Sequence, residues 1–173
     1  KKINPELARD TRFVSYNVEG QLRTGNAEEL SSFVPVETYD LIYSFGVIHH
    51  SPNPEKIISE IKKYMNKDSL LKIMLYAKDS WKNAMIRADL DQPEAQYGCP
   101  IANTYNFQDV QNLLKGFRLI GYEQRHIFPY RIEPYKKGLF IKEPWFEAMP
   151  DKVFNALQFQ LGWHLLITAK LED

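Results

Sequence analysis

Glycine is missing where a nucleotide-binding chain would most need it. None of the 8 glycines lies two positions from another, so the sequence holds no Gly-x-Gly loop able to bring backbone amides against a cofactor. Cysteine is almost absent. The lone Cys99 excludes an intrachain disulfide framework and fits a reducing compartment. Charge of one sign is absent too: Lys+Arg and Asp+Glu both total 22, which points away from nucleic acid and from an anionic membrane as partners. No uninterrupted apolar stretch is long enough to span a bilayer and no signal-peptide pattern opens the chain, so a cytoplasmic location is expected. Repeats, low-complexity tracts and charge blocks are also missing. What remains is 173 residues, 44% hydrophobic, which suffice for one domain with a sizeable core.

The run from Tyr39 to Glu55 is the most informative part of that domain. Leu41, Ile42, Tyr43 and Phe45 are apolar without strict alternation, as in a strand covered on both faces of a parallel sheet. Gly46 permits an unusual dihedral where the strand ends, Asn53 can cap a following helix, and Pro54 suits its first turn. Ligands of open α/β sheets bind at the carboxyl ends of strands, so Ser44 to His50, with its His49-His50 pair, is the candidate site.

Around this run the pattern predicts helices over 5–16, 54–65, 79–90, 106–114 and 150–161, and strands over 21–25, 39–45, 69–76, 117–128 and 163–171. The 54–65 helix is the clearest, with Ile57, Ile58, Ile61, Tyr64 and Met65 on one stripe. Asn106 with Asp109 reads as a capping box with aspartate in place of glutamate. Residues 27–33 read as a turn or brief helix, and 129–150 as irregular, aromatic and proline-punctuated. Strands alternating with helices up to Tyr76 imply parallel neighbours.

Three short motifs in this order carry a family resemblance. Tyr39 through His50 resembles the fourth-strand motif of class I S-adenosylmethionine-dependent methyltransferases. Gly25-Asn26-Ala27-Glu28-Glu29-Leu30 resembles their adenine-side motif, with Asn26 where aspartate is usual. Ile3-Asn4-Pro5-Glu6-Leu7 is similar to the helix start that follows their ribose-binding acid. The resemblance implies an α/β, Rossmann-like fold with a mostly parallel sheet, closed by a C-terminal antiparallel hairpin whose final strand is inserted between earlier ones. It also implies a single, N-terminally truncated domain over 1–173: the family's glycine-rich loop and first two strands are expected upstream of Lys1, which is not a methionine.

By that resemblance the cofactor is S-adenosylmethionine and the reaction is methyl transfer to a small-molecule acceptor. Asn26, Ala27, Ser44, Phe45, Gly46 and His49 would contact the cofactor, Asn26 through its carbonyl oxygen. His50 is the candidate general base, since an imidazole titrates near neutrality. Tyr76, Trp81, Tyr105, His126 and Tyr130 are the candidate substrate contacts, and the insertions 91–105 and 129–150 the substrate-side elements. Each aromatic has a plainer reading as core. Cys99 has no histidine near it in sequence and reads as a loop thiol rather than a nucleophile. His49, His50, His126 and His164 lack metal-ligand spacing, so no metal is expected. A second expectation is a non-catalytic fragment: with two central strands missing, the edge of the 39–45 strand would pair with another copy, giving a homo-oligomer that binds cofactor poorly.

Overall fold

The computed structural model describes residues 23–90 and 101–172. The helix expected over 5–16, the Ile3–Leu7 motif, Cys99 and most of the 91–105 insertion lie outside the described residues.

Among the described residues five strands form one sheet: β1 (Leu41–Phe45), β2 (Leu70–Ala77), β3 (Thr104–Tyr105), β4 (Phe117–Arg125) and β5 (His164–Leu171). Six α-helices accompany them: α1 (Pro54–Lys62), α2 (Trp81–Arg87), α3 (Phe107–Leu113), α4 (Ile132–Lys136), α5 (Pro144–Glu147) and α6 (Asp151–Leu161). Short 3-10 turns cover Ala27–Ser32 and Ile48–His50.

The sheet order is β1-β2-β5-β4. β1 runs parallel to β2, from Leu41 opposite Leu70 to Phe45 opposite Met74. Beyond the end of β1, β3 takes the same edge of β2, with Thr104 opposite Tyr76. β5 enters antiparallel between β2 and β4, pairing Leu71 with Ala169 on one side and Phe117 with Leu171 on the other. Among the described residues the sheet is therefore evenly mixed rather than mostly parallel: two pairings are parallel and two antiparallel. The inserted hairpin is present as expected.

Alternation sorts the strand side chains by face. Leu71, Ile73 and Leu75 of β2, with Leu165, Ile167 and Ala169 of β5, meet Ile57, Ile58 and Ile61 of α1 and Val110 and Leu113 of α3 in the main core. Truncating one such isoleucine to alanine costs about 2–5 kcal/mol, because the cavity adds to the lost transfer energy. The opposite face is thinly covered. Met74, Tyr76 and Trp163 form a small buried group there, whereas Leu41, Tyr43 and Phe45 are 52%, 63% and 49% exposed. The β1 strand is thus covered on one face, not on both.

Other expectations shift for local reasons. Residues 23–26 are not a strand: no neighbouring strand offers a ladder among the described residues, and Arg23 Nη1 donates instead to the Phe33 carbonyl at 2.7 Å. The 117–128 strand stops at Arg125, because His126 takes a left-handed φ of 65° and leaves the ladder. The 129–150 segment is more regular than its prolines suggest. It holds α4 and α5, and an antiparallel bridge joins Tyr130 to Lys142.

Candidate functional site

The site is built at the carboxyl ends of β1 and β2. Gly46 turns the chain at the end of β1 with φ 74°; a side chain there would be limited by conformation, since the nearest atom, Met74 Cε, stands 3.7 Å from a built Cβ. The Ile48–His50 turn follows, with Ile48 and His49 fully buried and His50 half-buried. Asn53 does not cap α1 with its side chain as the sequence suggested. Its Nδ2 donates to Glu28 Oε2 at 3.0 Å, while Ser51 Oγ donates to Glu28 Oε1 at 2.5 Å. That carboxylate ties the 26–28 turn to the histidine turn, and the Ser51 hydroxyl is the main cause of its lowered pKa.

His50 is held in one tautomer. Its Nδ1 stands 2.6 Å from the Ile101 carbonyl oxygen, which can accept but not donate. In the neutral ring Nδ1 therefore carries the hydrogen and the basic lone pair falls on Nε2. The 101–105 segment closes over the turn further: Asn103 N donates to the His49 carbonyl at 2.9 Å, and Asn103 Nδ2 to the Ser51 carbonyl at 3.0 Å.

His49 is a different kind of histidine. Its ring lies 4.3 Å from His50 and 3.8 Å from Tyr76, centroid to centroid. Neither ring nitrogen has a hydrogen-bond partner among the described residues. Burial, then the charge of His50, pulls its pKa down to about 3, and the Met74 backbone opposes this without a well-formed hydrogen bond. His49 is neutral at physiological pH.

The rings continue from there. Tyr76 stacks on Trp163 at 4.3 Å. His164 stacks on His126 at 4.6 Å, meets Phe45 edge-on at 5.7 Å and lies 6.4 Å from Tyr76. All 4 histidines of the sequence thus join one aromatic network around Tyr76, although they come from the end of β1, the end of β4 and the start of β5. Among the described residues, no three His, Cys, Asp or Glu side chains are placed to hold a metal ion.

The expected site residues divide accordingly. Ser44, Phe45, Gly46, His49, His50, Tyr76 and His126 share the strand-end network or its backbone, and Asn26 and Ala27 are joined to it through Glu28. Asn26 is exposed, and its Oδ1 accepts from Glu28 N at 3.1 Å, which leaves a second acceptor site on that oxygen. Tyr105 is buried; burial first and then the Glu55 charge push its phenol up to about 12. Trp81 and Tyr130 belong to two other aromatic groups: Trp81 meets Phe146 at 5.7 Å, and Tyr130 gathers with Phe128, Tyr135 and Phe140. Sequence reasoning singled out the segments that hold Glu28 and Asn103 without giving either residue a role, and it missed Trp163 and Lys82, whose buried Nζ sits 4.4 Å over the Phe128 ring. Only Trp163, beside His164, had an aromatic signal to find it by.

Comparison with known proteins agrees with this architecture. The model of a methyltransferase domain family matches residues 3–128. A SAM-dependent methyltransferase from Thermotoga maritima superposes with TM-score 0.53 at 15% identity, covering 86% of this chain and 62% of its own. TehB from Haemophilus influenzae gives TM-score 0.56 at 12% identity, covering 98% and 48%. OxaC, in complex with sinefungin and meleagrin, gives 0.55 at 15% identity, covering 99% and 35%. The chain therefore spans less than two thirds of the length of each of these three. Among curated proteins, no sequence match was found.

Proposed function

Because the chain belongs to the methyltransferase domain family, whose model covers residues 3–128, we propose that the intact protein moves a methyl group from S-adenosylmethionine to a small-molecule acceptor. The bound cofactor supplies an electrophilic methyl carbon on a sulfonium. This chain's residues then have two tasks, to position the acceptor in line with that carbon and to remove its proton where needed. Asn26, with one acceptor site left on Oδ1, and the neighbouring Ala27 backbone would meet the adenine edge. Ser44, Phe45 and Gly46 would line the side of the pocket at the end of β1. Together these residues would form one half of a nucleoside pocket. The other half would need closely spaced glycines to bring backbone amides to the cofactor, and these 173 residues hold no Gly-x-Gly loop.

The observation that carries the reading is the fixed His50 tautomer. The Ile101 carbonyl, 2.6 Å from Nδ1, fixes the orientation of the ring at the end of β1 and puts the hydrogen of the neutral ring on Nδ1. His49 behind it is held neutral and adds no competing positive charge. The near-balance of total charge supports a small acceptor over nucleic acid. The test is transfer of labelled methyl from S-adenosylmethionine to a panel of small hydroxyl and amine acceptors by the intact protein. His50→Gln is expected to slow turnover about 10²–10⁴-fold with cofactor affinity unchanged. Full turnover by that variant removes His50 from the chemistry.

Among the described residues no strand pairs with the outer edge of β1, which favours a second reading for residues 1–173 taken alone: self-association, with weak cofactor binding. Residues 41–47 carry no charge, and Leu41, Tyr43, Phe45 and Val47 are each about half exposed or more. Such an edge lacks the lysines, prolines and bulges that block pairing. Micromolar S-adenosylmethionine binding by calorimetry argues against this reading.

A further inference from the structure

A second surface stands out, remote in sequence from β1. Between α4 and α5 the chain runs Lys136-Lys137-Gly138-Leu139-Phe140-Ile141-Lys142. Three consecutive apolar side chains face solvent here: Leu139 is 54% exposed, Phe140 67% and Ile141 46%, with Trp145 nearby in sequence at 54%. Scattered apolar residues are ordinary on a surface, but a consecutive exposed run marks an interaction site or a fault.

The turn is well tied down. Leu139 N donates to the Pro134 carbonyl at 2.9 Å, Arg131 N to Ile141 at 2.8 Å, and Glu143 N to Pro129 at 2.8 Å. The Phe140 ring also leans on Tyr130 and Tyr135 at 5.4 and 5.8 Å. The tip is thus presented by a braced base, and the partner pays little ordering entropy. Gly138, with φ 76°, has nothing within 4 Å of a built Cβ, so the turn looks onto open space.

Charge identifies the partner. No acidic residue lies between Glu133 and Glu143. Lys136 is paired with Glu133 at 2.9 Å, but Lys137 and Lys142 are exposed on either side of the apolar run. Three apolar side chains and one indole make a small patch beside the roughly 20–30 residues a side of a standard protein interface. It suits a bilayer better: apolar side chains enter roughly 5–10 Å, an indole sits at headgroup level, and lysine ammonium groups reach lipid phosphates. We propose that the Lys136–Trp145 turn docks this protein on an anionic lipid surface. The balanced total charge does not oppose this, because attraction to a membrane falls off within about a Debye length and is set by the local face. Docking is peripheral, since no helix among the described residues is long and apolar enough to cross a membrane. The proposal goes beyond methyl transfer and stands apart from it.

The test is co-sedimentation of the full chain with phosphatidylcholine vesicles, with and without phosphatidylserine, at physiological ionic strength. The chain is expected to bind the phosphatidylserine vesicles and to leave them as salt is raised. Leu139→Asp and Phe140→Asp should each lower partitioning at least tenfold, and Lys137→Ala and Lys142→Ala about fivefold each, which corresponds to ~1 kcal/mol per lysine. Circular dichroism of Leu139→Asp, whose ring-free side chain is half exposed, confirms that the loss is not unfolding. Three results of the vesicle assay overturn the proposal: no binding by the unmodified chain, binding that both aspartate variants retain, or binding abolished by Tyr43→Ser on the β1 strand. An oligomer that Phe140→Asp dissolves would likewise assign the tip to a second copy instead.

Discussion

The His49 imidazole is packed between Tyr76 and His50 and must stay neutral to remain there. Its pKa is about 3 in the folded chain against an ordinary 6.5. Below about pH 6.5 the unfolded chain takes up a proton that the folded chain refuses until about pH 3, so stability should fall as pH drops through that window. The slope from this group is at most about 1.4 kcal/mol per pH unit. Urea midpoints at pH 7.5, 6 and 5 measure it, and His49→Phe is expected to flatten the decline, with stability at pH 7.5 unchanged or higher because two unpaired buried nitrogens are gone. Equal slopes for the two proteins would show that the acid sensitivity resides elsewhere. The same pair shows what one sequence can and cannot reveal. The two adjacent histidines announce a strand-end turn, but which of them is buried depends on Tyr76 and Ile101, which arrive 27 and 52 residues after His49.

At the level of elements, α3 offers the most direct check. Asn106 Oδ1 accepts from Asp109 N at 2.9 Å and Asp109 Oδ2 accepts from Asn106 N at 3.0 Å, the reciprocal box read from the sequence. Asn106→Ala should lower stability by about 1 kcal/mol, visible as a reduced chemical-denaturation midpoint with an unchanged slope. Elements with strong periodicity or local capping were legible: α1, β2, α3 and β5 all lie where the pattern placed them, while the insertion of β5 is what the family resemblance implied. Those that depend on a distant neighbour were not. β3 is two residues that exist as a strand because β2 has a free edge beyond Met74. α4 and α5 form among prolines because the Phe128, Tyr130, Tyr135 and Phe140 rings brace the chain between them. The site suffers from the same limit, since Glu28, Asn103 and Lys82 act through contacts 23 or more residues away, and no local pattern reveals those partners.

For the whole molecule, the uneven sheet decides behaviour. One face is sealed by α1 and α3, while the other carries an open groove of about 510 Å³ beside Tyr43, Phe45 and Lys72. If that surface and the β1 edge pair copies of residues 1–173, Tyr43→Lys should shift the chain toward monomer in light scattering, because a lysine on an edge strand opposes pairing. A monomer before the change would remove the pairing. The order of the strands has one more consequence. β5 sits between β2 and β4, yet residues 164–171 are synthesised after both. During translation at about 5–20 residues per second, β2 waits on the ribosome for roughly 5–20 s with its hydrogen-bonding groups from Leu71 to Tyr76 unmatched. A ribosome stalled before His164 would release a chain with its central ladder unfilled.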